Sequence, residues 1–337
     1  MSARHWGSAL GIVGLVATGL IHPPTANAVT DVSGLSAVRT IAPEAFRATA
    51  TSSDDAGVGG QPGRAYTLDQ WGTTAIVPAD AEQPVSISTQ GKAPIEVALP
   101  FARDAHQITS TSTESTFDNG NGSSTVVLPK NEGAVEFTTV IRNIDAPASF
   151  TYDFNLPAGT HLSSNGDSAS VSVVNSDNQW VAGVSAPWAK DASGTAVPTH
   201  FSILGDTLTQ FVDHKAGNFR YPIVADPWLG VALISHVDWT PGDQWGPTAE
   251  IYPTEAGRNI FFAPYAANEA AWGEALEKTT RSRLDHNNLH DQFTCHWQVV
   301  RLRAPNKPSW NLDSKRPDVG LARTIAADCN PGGGKED

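Results

Sequence analysis

Methionine occurs once and cysteine twice in 337 residues. That is too few for the disulfide-dense scaffolds that replace a core in small exported proteins. No run approaches the roughly 20 apolar residues that a bilayer-spanning helix needs, so no membrane span is expected. Basic residues are also short: 22 Lys and Arg stand against 35 Asp and Glu, for a formal net charge of −13. Such a balance is poorly suited to nucleic-acid phosphates or anionic lipid heads, so neither is an expected partner. No internal repeat and no glycine-rich phosphate loop is found. With a hydrophobic fraction of 40% that includes 10 Trp and 12 Phe, the chain can still bury a real core, and its length suits about two domains.

The N-terminus indicates a compartment. Arg4 and His5 lead into "SALGIVGLVATGLI", and "TANAV" follows with small residues at Ala26 and Ala28. A basic start, a short apolar run and an A-x-A site describe a secretory signal peptide, cleaved after Ala28. The mature protein is expected to be secreted, extracellular or cell-wall associated. Residues 29–65, with the Ser/Thr/Gly-rich "ATATSSDDAGVGGQPG", read as a flexible linker.

Residues 66–228 read as β-structure. Short runs such as "PIEVALPF", "GAVEFTTVIRNI" and "ASFTYDFNLP" are separated by Asn119–Gly120, Asn165–Gly166 and Pro157–Ala158–Gly159, which are turn signals. In "SASVSVV", Ala169, Val171 and Val173 alternate with Ser168, Ser170 and Ser172, predicting one buried and one wet face. Such spacing argues for an antiparallel sandwich. Residues 229–333 are mixed. "ALISHVDW" and "TAEIYPT" read as strands, and "PYAANEAAWGEALEKTTRSRL" as one helix with Ala267, Ala271, Trp272, Ala275 and Leu276 on its apolar stripe. A shorter helix is expected in "SKRPDVGLARTIAADCNPGGG", capped by Asp313 or Ser314. The fold class is therefore mainly β with α+β: a sandwich-like domain, then a small disulfide-bonded α+β domain, with residues 334–337 a disordered tail.

"DQFTCHWQVV" raises the main chemical question: a Cys–His pair, two metal ligands, or half a disulfide. Read as a strand, it puts Phe293, Cys295, Trp297 and Val299 on one face and Thr294, His296 and Gln298 on the other. His296 then cannot serve as base for Cys295. On the last helix Cys329 continues the stripe Val319, Ala322, Ile325 and Ala326. Two core-facing cysteines in an exported chain are expected to pair, Cys295 with Cys329. His296 is left on the polar face as a candidate binding residue. His286 and His290 have i,i+4 spacing, but Asn stands where H-E-x-x-H has Glu, so no metal or other cofactor is implied. "KPSWNLDSKRPDVG" is the other concentrated stretch. Trp310, Asn311, Asp313 and Arg316 there serve either as a well-built helix entry or as a recognition edge.

The order "W…TAEIYPTEAGR…AW…DQFTCHW…KPSWNLDSKRPDV…CNP" resembles a C-terminal domain of unknown function found in exported actinobacterial proteins. Matched positions include Pro253, Thr254, Gly257, Arg258, Asp291, Gln292, Cys295, His296, Trp310, Asn311, Leu312, Asp313, Arg316, Pro317 and Cys329. The resemblance runs from about Ser235 to Pro331. "YPIVADP" resembles the end of a β-rich module common ahead of variable C-terminal domains in such proteins. These likenesses imply architecture and export rather than a reaction, and they add Arg258 to the candidate binding residues. The leading expectation is a non-enzymatic exported protein that binds cell-wall polysaccharide or another exported protein. The alternative is a secreted hydrolase or toxin-like effector, with His296 as acid/base, Asp313 as its orienting carboxylate and Arg316 as an anion clamp. A third expectation is cleavage near Pro227.

Overall fold

The computed structural model describes residues 34–46, 49, 66–70, 72–89, 91–111, 113–130, 133–164, 166, 169–259 and 267–333. The expected signal peptide, its cleavage site at Ala28 and the expected tail at 334–337 lie outside the described residues. Among the described residues no helix is long and apolar enough to cross a membrane.

Two antiparallel sheets form a sandwich. One has seven strands, in the order Tyr66–Gln70, Thr73–Val77, Val85–Thr89, Ile95–Ala98, Ser149–Asn155, Thr207–Val212 and Thr199–Leu204. The other has ten strands and is centred on the hairpin Ser123–Lys130 and Ala134–Ile141. Their facing sides supply the largest core, where Val85, Ile87, Phe150 and Tyr152 meet Phe117, Val127, Phe137 and Val173. β-Branched and aromatic residues at every second position produce this face. Gly120 and Gly159 take positive φ in the expected turns.

The ten-stranded sheet is covered on its outer face as well. Within the stretch expected as a linker, Gly34–Ile41 is a helix. Its Ala37 and Val38 pack with Val126, Leu128 and Val140 in a second core. Trp180 and Trp228 on the same outer face enter a third core, shared with the C-terminal region. Double coverage explains why all eight residues of Ser123–Lys130 are buried. It also corrects the expected wet face of "SASVSVV", since Ser170 and Ser172 are buried.

The C-terminal region holds a three-stranded antiparallel sheet of Ile234–Asp243, Gly246–Pro253 and Trp310–Asp313, with Gly246–Pro253 in the middle. Val237, Ala249, Ile251, Trp310 and Leu312 face one way. They pack on Ala271, Trp272 and Ala275 of helix Asn268–Glu277, and on Leu289, Phe293 and Trp297.

Three readings of this region need correction. "DQFTCHWQVV" is not a strand: Asn287–Cys295 is an α-helix that runs on as a π-helical turn, His296–Val300. Leu289, Phe293 and Trp297 recur at i, i+4 and i+8, and over so short an apolar run this period and the strand period fit the same letters. Steps of about 100° then let Cys295 and His296 both be buried, at 0% and 2% exposure. The expected long helix breaks after Glu277 and resumes as Arg281–Leu284. The last helix is only Leu321–Ala326, entered through Gly320 at φ 79°. Ala322 and Ala326 are exposed on it, while Thr324 is buried. Cys329 follows the helix at φ 66°. Asp313 is no helix cap either; it ends the third strand.

Candidate functional site

The second face of the C-terminal sheet is polar. In register across the strands stand His236 with Tyr252, Asp238 with Glu250 and Asn311, and Thr240 with Thr248 and Asp313. Strand alternation generates this face from the same letters that generate the core. At one end it forms an open cavity of about 320 Å³ lined by Thr240, Asp243, Gln244, Trp245, Thr248, Glu250, Asn311, Asp313 and Arg316.

A rigid frame surrounds this cavity. Arg316 Nε donates to Asp313 Oδ2 at 2.7 Å, and Thr248 Oγ1 donates to Asp313 Oδ1 at 2.7 Å. Gln292, buried on its helix, brackets the backbone of Asp313. Its Oε1 accepts from Asp313 N at 2.9 Å and its Nε2 donates to Asp313 O at 3.1 Å. Asn288 Nδ2 donates to the carbonyls of Ser314 and Arg316 at 3.1 and 2.9 Å. Arg316 also donates to Gly333 O at 2.9 Å, and its guanidinium lies 4.9 Å from the Trp245 ring centre. Both oxygens of Asp313 are thus engaged, and a buried Arg–carboxylate pair satisfied in this way fixes geometry.

Trp245 sits on the tight turn between the first two strands. A Cβ at Gly242, φ 69°, would lie 1.8 Å from Gly246 O, so only glycine closes this turn. Trp245 N donates to Asp243 Oδ1 at 2.7 Å, and Lys315 N donates to Trp245 O at 2.8 Å. Glu250 accepts from Tyr252 Oη at 3.0 Å, and Asn311 Oδ1 accepts from Ser309 Oγ at 2.9 Å.

The sequence-derived candidates divide into three groups. Asn311, Asp313 and Arg316 come together in the cavity. His296 and Trp310 do not join them: they are 2% and 1% exposed, with ring centres 6.3 Å apart in the core behind the sheet. His296 Nδ1 bonds the Gln292 carbonyl at 2.8 Å. Burial holds its pKa down at about 4; the Gln292 carbonyl opposes this shift and the Lys307 charge adds to it. Arg258 fastens the loop before the third strand, donating to the carbonyls of Lys307 at 3.3 Å and Pro308 at 2.8 Å.

The disulfide joins Cys295 to Cys329 with Cα atoms 5.5 Å apart. It anchors the segment whose Gly333 carbonyl receives Arg316 and whose Gly332 abuts Trp245, where a Cβ would meet the ring at 2.7 Å. Thr248 and Glu250 were not singled out from the sequence. Their signal was the alternation in "PTAEIYP", which marks a strand but does not say which face stays open.

A second, larger cavity of about 580 Å³ runs beside Ile234–Asp243. Ser235, His236 and Asp238 line it with Lys278 of helix Asn268–Glu277's C-terminal end, and Thr89 and Lys92 reach it from the sandwich. Glu274 closes its floor, accepting from Leu233 N at 2.7 Å and Ile234 N at 3.0 Å.

Comparison with known proteins bears on this same region. A family model described as a protein of unknown function (DUF2599) matches residues 234–332. An uncharacterized protein of Mycobacterium tuberculosis is 38% identical over 127 residues, covering 37% of this chain and 80% of its own length. An uncharacterized protein of Mycobacterium bovis matches to the same extent. One of Mycobacterium leprae is 32% identical over 109 residues, covering 32% of this chain and 85% of its own length. No solved structure matches significantly. The matched span begins with the first strand of the C-terminal sheet and ends just beyond Cys329, and through it this chain belongs to the DUF2599 family of proteins of unknown function.

Proposed function

We propose that this chain is an exported binding protein of the bacterial envelope or exterior. Residues 66–228 form a display domain and residues 229–333 the ligand-binding domain. The ligand is cell-wall polysaccharide, taken at the Trp245 end of the polar sheet face. One observation carries this reading: the cavity sets a half-buried Trp245 beside the polar side chains of Glu250 and Asn311, while the Asp313–Arg316 pair behind them is already satisfied. A half-buried indole flanked by fixed hydrogen-bonding groups suits a hydroxylated ring, whose apolar C–H face packs on the aromatic surface while its hydroxyls bond.

The hydrolase alternative with His296 as acid/base has no support from this geometry. The imidazole is buried behind the sheet and bonded to a backbone carbonyl, out of reach of a substrate in the cavity.

Sedimentation of the purified protein with isolated cell wall tests the proposal. Trp245→Ala and Asn311→Ala are expected to weaken retention at least tenfold each, the range of a binding hot spot. Retention unchanged in both variants overturns the reading.

A further inference from the structure

The larger cavity contains a serine, a histidine and an aspartate that the polysaccharide-binding reading does not use. Ser235 occupies a β-bulge, where the pairing shifts between Ile234 and His236. The bulge breaks the alternation that would otherwise send neighbouring side chains to opposite faces. As a result Ser235 Oγ lies 2.9 Å from His236 Nδ1. The other ring nitrogen, Nε2, is 3.8 Å from Asp238 Oδ2. Tyr252 holds the imidazole in place, stacked at 4.1 Å between ring centres and 11° between planes. Lys92 and Lys278 bring ammonium groups to the same cavity, whose volume falls within the range of small-molecule sites.

We propose that this cavity is a second functional site, an esterase-type centre in which Ser235 is the nucleophile and His236 its base, acting on carboxylic esters. Nucleophile, base and a carboxylate facing the base's far nitrogen are the parts that acyl transfer requires. Ser235 Oγ attacks the ester carbonyl carbon and its proton passes to His236 Nδ1. Asp238 and the lysine ammoniums balance the charge of the imidazolium and of the oxyanion. As the bond to the leaving oxygen breaks, His236 returns the proton to that oxygen and an alcohol departs. Water then attacks the acyl-Ser235 carbonyl and gives a proton to Nδ1. The Oγ–acyl bond breaks, Oγ regains that proton, and a carboxylic acid is released. The sum is ester plus water to acid plus alcohol. Desolvation holds the His236 pKa below its ordinary value, with Asp238 opposing and Lys278 adding, which keeps the ring a neutral base near pH 7.

The activity does not depend on the polysaccharide reading, and neither readout below involves cell wall. The full chain is treated with a fluorophosphonate probe and digested, and the adduct is mapped by mass spectrometry; p-nitrophenyl acetate turnover is followed in parallel. One adduct on Ser235 is expected. Ser235→Ala abolishes it, and His236→Gln slows both readouts by about 10²- to 10⁴-fold, the usual share of a general base. Thermal unfolding verifies that both variants are folded, and Ser202→Ala, an exposed serine on the edge strand Thr199–Leu204 and outside the cavity lining, keeps the wild-type rate. An unlabelled wild-type chain overturns the proposal without reference to any variant. So does labelling or turnover that persists unchanged in a folded Ser235→Ala protein.

Discussion

Within the sandwich, Glu136 and Asp226 lie beneath a sheet covered on both faces, and burial pushes both carboxyls up, Glu136 to about 7. Lys130, 3.7 Å from Glu136, is pushed down by the same desolvation. In the C-terminal sheet, His236, Asp238, Glu250 and Asn311 stand on the face turned away from the hydrophobic core and line the two cavities. The two regions use the same period-two alternation and differ in what packs against the second face. A covered polar residue becomes a structural group that must be satisfied internally. An uncovered one remains available to a ligand. Asp226 illustrates the first case, accepting from Ser185 Oγ at 3.1 Å and Trp188 N at 2.8 Å.

The strongest test of this contrast removes the covered face of the smaller sheet. Trp310 is 1% exposed and meets Phe293 and Trp297 edge-on at 5.7 and 5.9 Å. Trp310→Ala is expected to cost about 3–5 kcal/mol, read from the urea midpoint. A cost below about 1 kcal/mol would mean that the helices do not depend on this face. Next comes the staple. Cys295 and Cys329 are separated by 34 positions, and replacing both by Ser is expected to cost about 3–4 kcal/mol by chain entropy. The same variant should weaken wall retention, because the anchored segment abuts Trp245.

The buried titratable groups sharpen the comparison further, because their signs oppose. His296 has a folded pKa of about 4 against an ordinary value of 6.5. Between those pH values the unfolded chain binds a proton that the native chain lacks. Its contribution is therefore full above 6.5 and is lost as pH falls toward 4, by roughly 3 kcal/mol. Glu136 runs the other way: its folded pKa is about 7 against 4.5. The native chain holds a proton that the unfolded one gives up, so its contribution is full below 4.5 and is lost as pH rises toward 7. Urea titrations across pH 4–7 should show His296→Gln and Glu136→Gln changing the slope in opposite directions. Slopes that change in the same direction would break the assignment. The smallest effect is expected on the surface, where Arg281 pairs with Asp285 at 3.2 Å, both largely exposed. Arg281→Ala should shift stability by about 0.3–0.5 kcal/mol.

The sandwich was legible in the sequence because β-branched alternation and Asn–Gly turns act locally. The wetness of Ser170 and Ser172 was not, because coverage of their face comes from Trp180 and Trp228, which pack into the C-terminal core. The Cys295–Cys329 pairing was read correctly on a mistaken geometry. Seven letters of alternation around Cys295 suit a strand and a helix alike, and the contacts of Leu289, Phe293 and Trp297 with the sheet select the helix. The same error placed His296 toward solvent. Asn311, Asp313 and Arg316, singled out through their turn chemistry and their resemblance pattern, line one cavity. Glu250 was missed because it comes beside Asn311 only through the pairing of Gly246–Pro253 with Trp310–Asp313, two strands far apart in sequence.

Hydrogen–deuterium exchange with and without solubilised cell-wall polysaccharide tests the central claim most directly. The account predicts that the ligand slows exchange in residues 240–250 and 310–316 and leaves the sandwich edge strand at 199–204 unchanged. Protection confined to the sandwich, or none at either place, would contradict it.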